Sequence, residues 1–64
     1  MKNQIKELRK SKKISQQELA DYCKVTRQTI NAIENEKYDP SLQLAFNLSE
    51  QLDTTVDKLF FPDS

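Results

Sequence analysis

The sequence predicts an all-α fold, five short helices in one compact domain spanning residues 1–64. Three observations predict it. Apolar residues recur three and four apart, as on one face of a helix. Ser or Thr stands ahead of successive apolar runs, at Ser15, Thr26, Ser41 and Thr55, where helices start. No stretch alternates apolar and polar residues as a half-buried strand would, and neither repeats nor low-complexity segments interrupt the chain.

The first helix carries Ile5 and Leu8, three apart, and fades in the Lys-rich stretch before Ile14. Ser15 then opens "SQQE", a capping box: its hydroxyl can serve the Glu18 amide while the Glu18 carboxylate serves the Ser15 amide. A second helix therefore starts at Gln16, with Leu19, Ala20 and Cys23 on one face, and ends near Lys24. Thr26 caps a third helix, which places Arg27, Gln28 and Thr29 in its first turn, buries Ile30 and Ile33, and runs to about Asn35. "NEKYDPS" reads as a loop. A fourth helix starts at Pro40 or Ser41 with Leu42, Ala45, Leu48, Ser49 and Leu52 facing inward. Thr55 caps a last short helix holding Val56, Leu59 and Phe60.

Composition narrows the function. Sixty-four residues form a small core of slim stability, which chains of this size often supplement with disulfides, a metal or a partner subunit. One cysteine, Cys23, excludes an intrachain disulfide, and the lack of histidine argues against a zinc cluster. Cys23 itself reads as a small core hydrophobe. With no Gly-rich phosphate loop, no histidine base, no activated nucleophile and no metal constellation, catalysis is not expected, nor is a cofactor or small-molecule ligand. No signal peptide or membrane span is evident, so the expectation is a cytoplasmic protein, working at the nucleoid.

Net charge is zero, yet it is polarised. Residues 1–13 hold Lys2, Lys6, Arg9, Lys10, Lys12 and Lys13 against Glu7 alone, a net +5, whereas residues 14–40 carry −2 and residues 41–64 carry −3. A basic front suits a phosphate backbone, although the same lysines also read as an ordinary solvated helix face.

Helices two and three are joined by only a few residues, Cys23 to Thr26, with small Ala20 where their backbones would approach. That is a helix-turn-helix over about residues 16–35, in which the second helix turns its N-terminal residues to the major groove of double-stranded DNA. On the outward side stand Arg27, Gln28 and Asn31; Arg pairs with guanine O6 and N7, Gln with adenine N6 and N7.

The stretch "ISQQELADYCKVTRQTINAIENEKYDPSLQLA" resembles the Cro/repressor (XRE) helix-turn-helix family of transcription regulators, and the whole chain resembles its short stand-alone members of the cytolysin repressor type, over about residues 4–60. Gln16, Leu19, Ala20, Val25, Ile30 and Ile33 match the family's helix-start glutamine, small residue and apolar core positions. The resemblance implies base reading by Arg27, Gln28 and Thr29, with Asn31 at the edge. It implies phosphate contacts from Gln16, its neighbour Gln17, Thr26, Lys37 and Tyr38, although Tyr38 reads equally as a cover for its loop. It further implies an ion pair between Arg9 and Glu34. Two positions depart from the family pattern, Lys24 and Glu36, where glycine is usual at a left-handed turn. A non-glycine residue there costs roughly 1–2 kcal/mol.

Stability and recognition both favour a homodimer, because two reading heads on half-sites one helical turn apart double the contacts. The expected interface lies in the C-terminal segment 54–64, with Val56, Phe60 and Phe61, joined by Leu44, which falls off the main stripe of helix four. For Phe60 the alternative is simply to close the monomer core. The expectation is thus a sequence-specific repressor binding an inverted repeat. Its alternative is a non-catalytic adaptor or antitoxin-like subunit on the same fold, since fold alone does not fix function.

Overall fold

A computed structural model describes residues 1–62. Asp63 and Ser64, the last two residues of the expected dimerisation segment, lie outside the described residues. Five helices follow one another: α1 (Ile5–Ser11), α2 (Gln16–Cys23), α3 (Arg27–Glu34), α4 (Leu42–Gln51) and α5 (Val56–Leu59). The helix starts are where the Ser and Thr caps put them. At Ser15 both halves of the capping box form, Glu18 N–H donating to Ser15 Oγ at 3.0 Å and Ser15 N–H to the Glu18 carboxylate at 2.9 Å. Thr26 Oγ1 accepts from Thr29 N–H and Ser41 Oγ from Leu44 N–H, each at 3.2 Å.

The ends of α1 to α4 follow a single scheme. Lys13, Lys24, Glu36 and Asp53 all have φ between 55° and 62°, in the left-handed region. In each case the next amide reaches back five residues, for example Val25 N–H to Ala20 O at 3.0 Å and Lys37 N–H to Ala32 O at 2.9 Å. These are Schellman closures made without glycine. After α3 the left-handed residue is Glu36 itself, while the more tolerant Asn35 keeps φ at −91°.

Two elements differ from the sequence expectation. Lys2–Asn3 (β1) pairs antiparallel with Phe60–Phe61 (β2), Lys2 opposite Phe61 and Asn3 opposite Phe60. Phe60 is therefore a strand residue (φ −116°, ψ 144°) rather than the end of the last helix. A two-residue strand has no alternation to read, so only the meeting of two distant segments creates it. Gln4 N–H extends the contact, donating to Leu59 O at 3.0 Å. Thr55 occupies the start of α5 but makes no side-chain cap; its hydroxyl serves the Asp57 carboxylate and helps hold that acid below its ordinary pKa of 3.8.

The second difference is the rotation of α4. Its buried side comprises Leu44, Ala45, Leu48, Ser49 and, just beyond, Leu52, whereas Leu42 is 69% exposed. Leu44 is thus a core residue and not the exposed interface residue expected. Leu42 and Leu44 lie on opposite flanks of the same apolar stripe, and periodicity alone does not say which flank is covered. Packing decides: α2 lies against α4, and Asn47, one turn beyond Leu44, lines the same cleft as Tyr22 and Cys23. Phe60 is also buried and closes the monomer core. Val56 is half-buried and Phe61 exposed. The centre of the core brings together fully buried Ile5, Leu19, Ile30, Ile33, Leu48 and Leu59 from all five helices.

Candidate nucleic-acid interface

The outward turn of α3 is fixed from behind. Ala20 is completely buried, and its carbonyl accepts from Val25 N–H, which draws the turn tightly over the end of α2. Lys24, at φ 58° and ψ 41°, reverses the chain, and Thr26, extended at φ −81° and ψ 157°, starts α3. Ile30 and Ile33 anchor the helix in the core. Arg27 and Gln28 then stand exposed on its first turn, with Asn31 exposed one turn along. Thr29 is half-buried, and its hydroxyl shares a hydrogen bond of 3.1 Å with Thr26 Oγ1. Asn31 Oδ1 accepts from Asn35 Nδ2 at 3.2 Å.

The flanking candidates are held in different ways. Gln16, at the first turn of α2, donates its side-chain amide to Glu34 Oε1 at 3.0 Å, and Gln17 donates to Asp21 Oδ1 at 2.9 Å. Lys37 and Tyr38 are exposed in the loop beyond the α3 closure. Arg9 and Glu34 meet behind this surface: Arg9 Nε donates to Glu34 Oε2 at 2.8 Å and Arg9 Nη2 to Oε1 at 3.3 Å. Their side chains are only 11% and 3% exposed. Arg9 Nη1 also donates to Ile14 O at 3.0 Å, so the guanidinium is paired on several sides, as a buried charge must be.

Sequence reasoning missed Asn3. Its Oδ1 accepts from Ile5 N–H at 3.1 Å while its Nδ2 donates to Ile33 O at 2.9 Å, joining the start of α1 to the end of α3. Only a residue two before an apolar run, of a type that caps helices, hinted at it. Lys12, read either as solvent-facing or as an attractor of DNA, forms an exposed pair with Asp53 at 3.2 Å. Burial raises the pKa of the Cys23 thiol, which suits a packing role. Among the described residues no helix is long and apolar enough to cross a membrane, and no group of three or more acids and cysteines could hold a metal ion.

The model of the helix-turn-helix family matches residues 5–59, nearly the whole chain. The chain belongs to this family, in its XRE type. Its relatives include an uncharacterised HTH-type transcriptional regulator of Methanocaldococcus jannaschii, 43% identical over 60 residues that cover 94% of this chain and 91% of the relative. Another, YgzD of Bacillus subtilis, carries the same description and is 41% identical, covering 95% and 92%. Among solved structures, SinR in its complex with SinI superimposes with a TM-score of 0.78 at 36% identity, over 88% of this chain and 56% of that one. The clp gene regulator ClgR of Corynebacterium glutamicum gives a TM-score of 0.77 over 81% and 55%; at 21% identity it speaks to the fold alone. The chain thus spans nearly all of these relatives' length and just over half of each solved chain. Membership makes it a DNA-binding transcriptional regulator.

Proposed function

We propose that this regulator binds a specific operator as a homodimer and acts as a repressor by occluding a promoter. The observation that carries the reading is the placement of Arg27 and Gln28: exposed, adjacent, and set on a first helical turn that Thr26, Lys24 and Ala20 position from behind. In a major groove Arg27 matches guanine O6 and N7, and Gln28 matches adenine N6 and N7. Asn31 reads at the edge, and Thr29 keeps its place in the set while its hydroxyl steadies the cap. Phosphates would be met by the N-terminal amides of α2 and α3, by Gln16, Gln17 and Thr26, and by Lys37 and Tyr38 in the loop beyond. With Gln16 Nε2 on Glu34, that glutamine offers a phosphate its backbone amide rather than a free carboxamide nitrogen. Two heads on a two-fold dimer would span half-sites about 34 Å apart, an inverted repeat.

Selection of bound sites from random duplex DNA at physiological salt tests this, with the double variant Arg27→Ala, Gln28→Ala alongside. An enriched inverted repeat, lost in the variant, is the expected result. A second reading, a subunit that acts through a protein partner, is favoured by the likeness to SinR in a complex with another protein. Absence of any enrichment from folded protein would move the assignment to that reading.

A further inference from the structure

A polar cleft of about 310 Å³ lies where the C-terminal ends of α2 and α4 come together. Tyr22, Cys23 and Lys24 form one wall. Asn47, Glu50 and Gln51 form the other, three and four residues apart and so on one face of α4. Cys23 is buried, Asn47 is half-buried, and the remaining four are exposed. We propose that this cleft binds a free α-amino acid, with the ligand's carboxylate at Lys24 and its ammonium at Glu50.

Three observations favour a molecule that carries both charges. First, Lys24 and Glu50 line the same cleft, yet neither has an ion-pair partner among the described residues, whereas Arg9 meets Glu34 and Lys12 meets Asp53. Opposite charges that face one space without closing on each other suit a ligand that bridges them. Second, the neutral groups can serve both of its ends. Gln43 Nε2 donates to Asn47 Oδ1 at 3.2 Å, which orients that carboxamide and leaves Asn47 Nδ2 as a donor for a carboxylate. The Gln51 carboxamide and the Tyr22 hydroxyl have no partner among the described residues, and each can donate or accept. Third, two helices end here, and neither has a basic residue in its last turn. The partial negative charge at each C-terminus reinforces Glu50 in holding an ammonium. The Tyr22 ring, 57% exposed, offers the same ammonium an aromatic face.

The same groups disfavour other occupants. A simple anion would meet Glu50 and both helix C-termini, and a bare cation would meet Lys24. An apolar molecule would cover the Asn47 and Gln51 amides without satisfying them. The cleft stands at the lower end of the range for small-molecule sites, about 300–1,000 Å³, with room for one small polar molecule. Such a ligand is not expected from the sequence, because the two walls are distant in the chain and only the packing of α2 on α4 joins them. No residue of α3 lines the cleft, so the site is separate from Arg27 and Gln28 and goes beyond operator binding. Lys24 is nonetheless the left-handed residue that turns the chain from α2 towards α3, so an occupant touches the segment that stands behind the exposed turn.

Amide NMR titration of the full chain with each of the common α-amino acids is the test, followed by the N-acetyl and carboxamide derivatives of any that bind. At least one amino acid is expected to give saturable shifts at millimolar concentration, centred on Tyr22, Lys24, Asn47 and Gln51. Removing either charge is expected to weaken binding about tenfold or more, whether on the ligand by acetylation or amidation or on the protein by Lys24→Gln or Glu50→Gln. Both substitutions alter exposed side chains, and circular dichroism confirms that each variant is folded. Absence of saturable shifts with every amino acid would overturn the proposal. So would blocked derivatives that bind as well as their parent, or variants that bind as well as wild type. The titration contains no DNA, so its outcome stands apart from that of the operator selection.

Discussion

Gln16 and Glu34 are joined by a hydrogen bond of 3.0 Å, and the carboxylate that receives it is the one that also holds Arg9. One buried acid therefore ties the end of α1 and the first turn of α2 to the last turn of α3. The helix-turn-helix acquires a fixed angle from this junction as well as from its short turn.

Removing Glu34 leaves Arg9 buried without its partner. Glu34→Ala is expected to cost about 3–5 kcal/mol, and Gln16→Ala only about 0.5–1.5 kcal/mol, the value of one hydrogen bond. Urea unfolding followed by circular dichroism measures both. A Glu34→Ala midpoint equal to wild type would show that the pair contributes nothing.

Lys24 holds a left-handed conformation that a side chain disfavours. Lys24→Gly is expected to stabilise the fold by about 1 kcal/mol, raising the melting temperature by about 4–8 °C. Asn35→Gly serves as the contrast, because Asn35 sits at φ −91° and gains nothing from glycine's freedom. Equal shifts in the two variants would contradict the assigned closures.

The rotation of α4 is open to a direct check. Leu44→Ala should cost about 2–5 kcal/mol as a core truncation, while its exposed neighbour Gln43→Ala should stay within about 0.5 kcal/mol. Chemical denaturation separates the two at once. A neutral Leu44→Ala would return that residue to the surface.

Acid should loosen α2 through its cap. Glu18 is held below its ordinary pKa of 4.5, chiefly by the Ser15 backbone amide and then by the Ser15 hydroxyl. Its folded pKa lies below the unfolded one, so the contribution is complete above about pH 5 and fades as pH falls through the folded value. Asp57, lowered by Thr55, adds in the same direction. Glu18→Gln, which leaves no carboxylate to titrate at the cap, should flatten this part of the stability profile between about pH 5 and 3, measured by thermal melting across that range. A profile unchanged by the substitution would remove the cap from the account.

On DNA, Arg27 and Lys37 should fail differently. Arg27→Ala is expected to lose about 1–3 kcal/mol of discrimination at one base position, whereas Lys37→Ala should weaken all sequences alike and lower the salt slope by about one. Titrations against the selected site and single-base variants, at several salt concentrations, distinguish the two patterns. A uniform loss from Arg27→Ala would make it a phosphate contact.

Most of the fold and the exposure of the first turn of α3 were legible in the chain itself, for local reasons. Capping is a matter of three neighbouring residues, so Ser15 with Glu18, Thr26 with Thr29, and Ser41 announced their helices. Arg27 and Gln28 followed from the cap before them and from Ile30 and Ile33 after them, which leave the first turn only one direction to face. Other features depended on segments far apart in sequence. The meeting of Lys2–Asn3 with Phe60–Phe61 has no local signature, and it drew Phe60 out of the last helix. Leu42 and Leu44 are equivalent by periodicity, and only the helix lying against one flank buries Leu44 and leaves Leu42 with Phe46 in water. Gln16 satisfies its amide on Glu34, 18 residues away, because α2 and α3 cross there. Local hydrogen bonding determined where the helices begin and end; long-range packing decided which of their faces meet, and so which apolar side chains stay exposed.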